Sequence, residues 1–569
     1  MKSVITPEDG EKLYNMLYDL RSSVLSDGLS MFNVWKKGIE RSSFEYSALN
    51  LAFYLAIRCH DLRPLQEQLP PFGLSSLGRG EARTMANLDA VIASLGRICR
   101  KENSDLISYP SRRRFFYGNH LLRHNTGLLF GSSPSEQYTK IMVTMPTEGA
   151  EDPELAYDLI RSGMNVVRIN CAHDNAEIWA GMIRRIHAAE KKLKRRCRIY
   201  MDLAGPKVRI SQVLLQGDAS KVFKDDLIFM VRGSISDYPR DYAGSAVISC
   251  SIPQVFENLK AGDPVLIDDG KIECAVTRIV PQGAYLRVVS GREKGFSIKN
   301  HKSLNFPKTQ LDLSPLTAKD LEDLDFIIRN ADAVDYSFVR CKEDVQLLQE
   351  ELRKRAGDKA RHLAIIAKIE TRDSVNNLPE IIVQAASHNP FGVMIARGDL
   401  AVEAGYDRMA ELQEEILWIC EAAHVPVIWA TQVLENLVKT GIPSRAEITD
   451  AAMSERAEIT DAAMSERAEC VMLNKGPYIV RAVSTLADIL NRMTQHQIKK
   501  SPQLRVLHIA QDTLDKYAQQ PAEKASETVP AESLPPLPHP AAGEKPLPGS
   551  VQSGTILSGT AAYAASEHD

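Results

Sequence analysis

Eight short runs rich in β-branched and other apolar residues, each followed by a stretch with helical periodicity, constrain this chain more than any other feature. They lie at 141–144, 166–170, 198–203, 333–340, 363–370, 392–396, 426–431 and 470–474. Strand and helix in regular alternation is the pattern of a parallel α/β architecture. Eight repeats are the number that closes a (β/α)8, or TIM, barrel. The alternation breaks once: residues 211–300, between the third and fourth runs, lack helical periodicity and read as a small β-rich insertion. Its hairpin signal is Leu266-Ile267-Asp268-Asp269-Gly270-Lys271-Ile272, where Asp-Gly supplies the positive φ angles of a tight turn. Loops leaving barrel strands emerge at the C-terminal mouth, so the insertion is placed to act as a lid.

The flanks read differently. Residues 1–135 are predicted helical, with apolar positions at spacings of three and four in Leu13, Tyr14, Met16, Leu17, Leu20 and in Met85, Leu88, Val91, Ile92, Leu95. Pro70-Pro71 punctuates the helical blocks. The barrel is expected over 136–210 and 301–497, and 498–569 as a tail, mostly disordered, because Pro, Ala, Ser and Glu cannot bury enough surface to offset ordering entropy. Arg445 to Glu455 recurs identically from Arg456 to Glu466, a local duplication. Eleven residues are close to three helical turns, so the copy is expected to lengthen the preceding helix by roughly 16 Å without changing its buried face.

Composition excludes several classes. A net charge of −4 with 25% charged residues gives no global attraction to nucleic acid or anionic membrane, so small-molecule partners are expected. The basic run Lys191 to Arg196 ends a predicted helix and reads as a solvated helix terminus. Nine scattered cysteines without a C-x-x-C spacing point to reduced thiols and a cytoplasmic location. The N-terminus meets the acidic Glu8 and Asp9 before any apolar run could form, and no stretch reaches the ~20 apolar residues of a membrane span.

Two segments carry chemistry. In Ala367-Lys368-Ile369-Glu370 the charged residues are two apart at a strand end, so both point into the barrel mouth. Burying both is costly without a task or a partner. A structural ion pair is the equal alternative. In Ala396-Arg397-Gly398-Asp399-Leu400, a glycine lets backbone approach a ligand, and Asp399 would face Glu370 across neighbouring strand ends. Two hard oxygen ligands suit Mg²⁺ or Mn²⁺ completed by substrate and water. Taken alone, Gly-Asp is more often a loop turn.

These segments, with Ala430-Thr431-Gln432, Arg445-Ala446-Glu447, the run from Met164 to Asn170, Met201-Asp202-Leu203-Ala204-Gly205-Pro206 and the run from Leu311 to Thr317, occur in the order and approximate spacing of pyruvate kinases. The chain resembles that family over about 136–490. The resemblance implies phosphoryl transfer between phosphoenolpyruvate and ADP, giving pyruvate and ATP, with Mg²⁺ or Mn²⁺. It implies Glu370 and Asp399 as metal ligands, and Lys368 as the group stabilising the phosphoryl in flight. Arg168 resembles the residue that holds the substrate phosphate, and Gly398, Asp399 and Thr431 the cradle for its carboxylate, with Thr431 also at the catalytic position. Asn170, His173, Arg209 and Lys302 fall where the family contacts nucleotide, although His173 reads equally as a surface histidine. Asp268 or Asp269 would approach on lid closure.

Departures from the family pattern carry expectations of their own. Thr144-Met145-Pro146-Thr147-Glu148-Gly149 replaces Thr-x-Gly-Pro, and Asn474 stands where a serine is usual. The α/β domain that usually follows the barrel is missing, so allosteric control of the usual kind is not expected. A monovalent-cation site near Asn170 and Asp202 has lost ligands at Ala172 and Leu203, while Lys207 replaces a glutamate. A fixed ammonium there would balance Asp202 in place of the ion, so K⁺ is expected not to be required; the alternative is a lysine pointing to solvent. A homo-oligomer is compatible with all of this. The competing readings are a metal-dependent 2-oxo-acid aldolase or lyase, and a non-catalytic regulatory homologue.

Overall fold

In the computed structural model, which describes residues 6–101, 106–131, 139–216, 221–291, 293–311, 313–445, 447, 468–493 and 506–518, the eight runs form eight strands. The first three are β1 (Lys140–Thr144), β2 (Val166–Asn170) and β3 (Arg198–Asp202). The insertion follows, with β4 (Ile210–Leu215), β5 (Leu227–Val231), β6 (Ala246–Cys250), β7 (Pro264–Ile267), β8 (Ile272–Val280), β9 (Gly283–Ser290) and β10 (Leu304–Asn305). The barrel resumes with β11 (Ala333–Tyr336), β12 (Ala364–Ile369), β13 (Phe391–Ala396), β14 (Val427–Ala430) and β15 (Cys470–Leu473). The barrel strands pair in parallel and close in the order β1-β15-β14-β13-β12-β11-β3-β2.

Every barrel strand is almost wholly buried, as expected where helices cover one face and the barrel interior the other. The fourth run stops at Tyr336, short of the expected 340, because Phe338 takes a left-handed φ of 55° and its N–H donates to Glu370 Oε2 at 2.7 Å. The insertion is a seven-stranded sheet around its own apolar core, including Ile228, Ile248, Val265 and Leu286. At its hairpin Asp268, Asp269 and Gly270 all have positive φ, one residue more than Asp-Gly predicts. The extra residue is held by ion pairs from Asp268 to Lys271 and to Lys302, both 2.9 Å.

The N-terminal helices Pro7–Lys36, Ser42–Arg58 and Thr84–Ile98 pack together, and the Arg112–Phe130 helix leads into the barrel. Its last residues, Leu129 and Phe130, join Met142, Tyr200, Ile366, Met394 and Ile428 in the barrel's interior cluster. The Tyr200 hydroxyl donates to the Leu129 carbonyl at 3.1 Å, which seals the floor. Two details add to the sequence reading. Within the tail, Ile509, Ala510 and Thr513 are buried on a helix, His508–Ala518, that packs on Ser42–Arg58, with Leu507 buried just before it. The average composition of 498–569 hid this short amphipathic stretch. The basic run ends its helix with Lys191, Lys192, Lys194 and Arg196 exposed, as expected, while the half-buried Arg195 donates to the carbonyls of Ile160 at 3.0 Å and Gly163 at 3.3 Å. The duplicated segment falls almost entirely outside the described residues. Among the described residues, no helix is long and apolar enough to cross a membrane.

One histidine joins the helical layer to the barrel. His424, fully buried, donates from Nε2 to the Ala82 carbonyl at 3.0 Å and accepts from Ser47 Oγ at Nδ1, 2.9 Å away. A Cβ at Gly118 would lie 1.8 Å from that carbonyl oxygen, so only glycine fits there. Burial pushes the imidazole down to about 4. The folded state therefore favours neutral His424, and the stability this gives is complete above the unfolded value near 6.5 and is lost as pH falls toward 4. We expect the loss between pH 7 and 5 to be on the order of 2 kcal/mol. Thermal melts across that range should show a slope that flattens in His424→Asn, whose side chain tolerates the left-handed backbone found there.

Candidate active site

Strand alternation builds the site. On β12, Ala364 and Ile366 line the barrel interior, so Lys368 two residues on points the same way at the mouth, and Glu370 follows where the strand ends. The same rule carries Tyr200 to Asp202 on β3 and Val166 to Arg168 on β2. Lys368 Nζ lies 3.0 Å from Glu370 Oε1, 3.4 Å from Asp202 Oδ1 and 2.8 Å from Ser337 Oγ. Arg168 donates to Asp202 Oδ2 from Nε at 2.9 Å and also from Nη2, and its Nη1 donates to Thr144 Oγ1 at 2.9 Å. Burial works against every one of these charges, and their mutual attraction decides the outcome. Lys368 and Arg168 are held above their ordinary values despite burial, because carboxylates surround them. Asp202 is held below its own despite burial, chiefly by Arg168 and then Lys368. Glu370 moves up: burial and the neighbouring Asp399 charge outweigh Lys368.

Asp399 sits in the first turn of the Arg397–Ala404 helix, one residue after Gly398. That turn is clipped to the end of β14. Arg397 donates to the carbonyls of Ala430, at 3.0 Å, and Thr431, while Thr431 Oγ1 accepts from the Gly398 N–H at 3.1 Å. Thr431 itself has a φ of 68°, a costly conformation for a β-branched residue that the clip sustains. Glu370 and Asp399 fit a divalent cation: the charge of Asp399 helps push the Glu370 carboxyl up, and a positive ion between the two would relieve that repulsion. No cluster of three metal-ligating side chains occurs among the described residues, so substrate and water would complete the shell.

Lys207 is where sequence and structure part. Its ammonium lies 2.6 Å from Asp399 Oδ1 and 4.0 Å from Asp269 Oδ1, while the ion-pair partners of Asp202 are Arg168 and Lys368. The lysine thus balances the candidate metal ligand, because the turn after Gly205 carries it over Asp399 instead of down into the barrel. The lid meets the same edge, where Asn305 Nδ2 donates to Glu403 at 3.0 Å. The other predicted residues lie further out. Asn170 Oδ1 accepts from the Ala172 N–H at 3.0 Å, and His173 is exposed. Arg209 and Lys302 occupy the two chain crossings between barrel and lid, Arg209 donating to the His301 carbonyl at 3.0 Å and Lys302 pairing with Asp268. Asn474 Oδ1 accepts from its neighbour's N–H at 3.0 Å.

Three participants escaped the sequence reading. Ser337 accepts from Lys368 and donates to the Leu203 carbonyl at 2.7 Å, Thr144 holds Arg168, and Arg397 fixes Thr431. Thr144 and Ser337 lie at the ends of strands already recognised, which is the one signal that could have singled them out.

A closed barrel with cations and carboxylates converging at the C-terminal ends of its strands, under an inserted β domain, defines a TIM-barrel protein with a charged site where the enzymes of that fold carry theirs. Residues 136–483 match the family described as pyruvate kinase, barrel domain. Among individual proteins, the chain is 32% identical over 368 residues to pyruvate kinase of Thermococcus litoralis, covering 63% of this chain and 70% of that one. It is 31% identical over 294 residues to pyruvate kinase of Mycoplasma pneumoniae (52% and 55%) and 31% over 335 residues to pyruvate kinase 2 of Saccharomyces cerevisiae (58% and 61%). It therefore belongs to the pyruvate kinase family, while spanning little more than half to about two thirds of these relatives' lengths.

Lys207 competes with any divalent cation for Asp399. We expect Lys207→Met to tighten Mn²⁺ binding to the substrate-free protein by about tenfold, the worth of one partly exposed ion pair. Electron paramagnetic titration of free Mn²⁺ measures it, and unchanged affinity would place the lysine outside the metal's reach.

Proposed function

We propose that the chain transfers the phosphoryl group of phosphoenolpyruvate to ADP, forming pyruvate and ATP, with Mg²⁺ or Mn²⁺ at Glu370 and Asp399. The observation that carries this reading is Lys368: a buried ammonium kept charged by Asp202 and Glu370 at the barrel mouth, within a chain of the pyruvate kinase family. Phosphoryl transfer needs little covalent help, and positioned positive charge on the peripheral oxygens lowers the barrier most.

The other residues take roles consistent with their placement. Arg168 exchanges Asp202 and Thr144 for the substrate phosphate, a bidentate match for guanidinium. The Gly398 N–H and the Thr431 hydroxyl face the substrate carboxylate, held in place by Arg397. Glu370 and Asp399 would hold the divalent cation, which would supply positive charge against the negative charge of the substrate. Asn170, His173, Arg209 and Lys302 receive the nucleotide at the rim, where Asp268 must release Lys302. Asp202, the acid at the expected monovalent-cation site, is already paired with Arg168 and Lys368, which supports turnover without K⁺ although Lys207 lies elsewhere.

An aldolase or a non-catalytic homologue predicts a different result in one assay: pyruvate formed from phosphoenolpyruvate and ADP, with and without Mg²⁺. Absence of pyruvate would exclude phosphoryl transfer; Mg²⁺-dependent release of pyruvate from a 4-hydroxy-2-oxo acid would then support the lyase, and no turnover of either substrate the regulator. We expect Lys368→Met to lower kcat by several orders of magnitude while phosphoenolpyruvate and Mn²⁺ affinities change less than about threefold. A variant keeping more than about a tenth of wild-type turnover would remove Lys368 from the mechanism. Turnover in K⁺ should equal that in a bulky organic cation at the same ionic strength; tenfold activation by K⁺ would overturn the cation assignment.

A further inference from the structure

One acid inside the barrel has no task in this scheme. Asp335 lies on β11, two residues after Ala333, which lines the interior cluster, so its side chain faces the interior as well. It is fully buried, and neither carboxyl oxygen has a hydrogen-bond partner. A carboxylate so placed carries its whole desolvation penalty with nothing to offset it. Every other charged side chain of the interior described above has a partner at hydrogen-bond distance, which sets Asp335 apart.

Its neighbours are defined by register. Asp335 pairs with Asp202 across the parallel β11–β3 ladder. Their backbones are about 4.8 Å apart and their side chains share a face. Burial, with the charge of Asp202 beside it, pushes the Asp335 carboxyl well above the usual carboxylate range, which favours its neutral form. Asp202 divides its partners unevenly. Oδ2 receives both guanidinium bonds from Arg168, whereas Oδ1 is covered by Ser337 at 3.2 Å and Lys368 at 3.4 Å. When Arg168 turns to a substrate phosphate, one oxygen of a buried carboxylate loses every partner it has here.

We propose that Asp335 is a positioning residue for the substrate phosphate: its carboxylic acid donates a hydrogen bond to Asp202 when Arg168 leaves that carboxylate for the phosphate. Two adjacent carboxyl groups sharing one proton are a stable arrangement where both cannot ionise. The proton stays within the pair, so no other group gains or loses one. The exchange lets a guanidinium that is fully paired in the free protein be given up to the ligand without exposing bare charge in a dry interior. This rests on the reading of Arg168 as the phosphate-binding residue.

The test compares the full-length protein with Asp335→Ala and Asp335→Asn. Loss of the donor weakens binding before and during the chemical step alike, so Asp335→Ala is expected to raise KM for phosphoenolpyruvate by about tenfold with kcat within about threefold of wild type. The Asn amide can donate to Asp202 and is expected to bring KM back to within about threefold. In the wild type, the infrared carbonyl band of a protonated carboxyl should shift when phosphoenolpyruvate is added, and that band should be missing in Asp335→Asn. An unchanged KM in Asp335→Ala, or Asn behaving no better than Ala, overturns the proposal. If Asp335→Ala does not fold, the band decides: no shift on adding phosphoenolpyruvate overturns it and a shift absent from Asp335→Asn upholds it. A wild type that makes no pyruvate from phosphoenolpyruvate and ADP overturns the phosphoryl-transfer reading itself, a result separate from all of these.

Discussion

An ammonium and a guanidinium interleaved with carboxylates inside a closed barrel is the arrangement on which the rest of this structure depends. Lys368, Arg168, Asp202 and Glu370 are all nearly inaccessible to water. No one of them could be buried alone, since an isolated ion in a medium of low dielectric costs far more than a typical domain's net stability. Together they form a chain, Thr144 to Arg168 to Asp202 to Lys368 to Glu370, with Ser337 bracing the middle. The barrel's register makes the chain possible. Slipping β12 by one residue would turn Lys368 toward the helical layer and Ile369 into the mouth, which is why the side-chain period of two fixes chemistry as firmly as it fixes packing.

A charge network of this kind holds its geometry only if the floor beneath it is rigid. Below the charged layer, Met142, Val166, Tyr200, Ile366 and Met394 fill the interior, and Leu129 and Phe130 enter from the N-terminal side to close it. The helical region thereby contributes directly to the barrel core, and His424 with Ser47 and the Ala82 carbonyl fixes its approach on the flank. The helix His508–Ala518 then packs on Ser42–Arg58, adding a further segment to the same support.

What the sequence revealed follows from which signals are local. Strand position and facing are encoded by alternation within a few residues, so all eight strands, and Lys368 beside Glu370, were legible from the chain alone. The short helix at 508–518 was missed because its apolar positions sit in a segment whose average composition is polar. Phe338 ends β11 early for a reason no local pattern contains: its N–H is captured by Glu370, 32 residues on. Lys207 was misjudged in the same way. The sequence shows that a charge replaces a charge near the mouth, but whether the ammonium meets Asp202 or Asp399 depends on the turn through Gly205 and on a helix 192 residues away. Family resemblance assigned roles to residues that match a motif, and so said nothing about Asp335, whose meaning lies in the register of β11 against β3.

The free protein also suggests why such a site can be both stable and receptive. Arg168 is satisfied by Asp202 and Thr144, Lys207 by Asp399, and Lys302 by Asp268. Each of these three cations is already occupied by an internal acid or hydroxyl. Binding at such a site exchanges one set of charge-assisted bonds for another, so affinity reflects the difference between them and not their sum. That difference is tuned most easily through the internal acids. A carboxylate that loses its cation must find another donor or a new counter-ion, and the three acids differ in this respect. Asp268 is at the rim and keeps Lys271, and Asp399 gains the metal in the proposed mechanism. Asp202, enclosed in the barrel, is out of reach of solvent, so its relief has to come from what is packed against it.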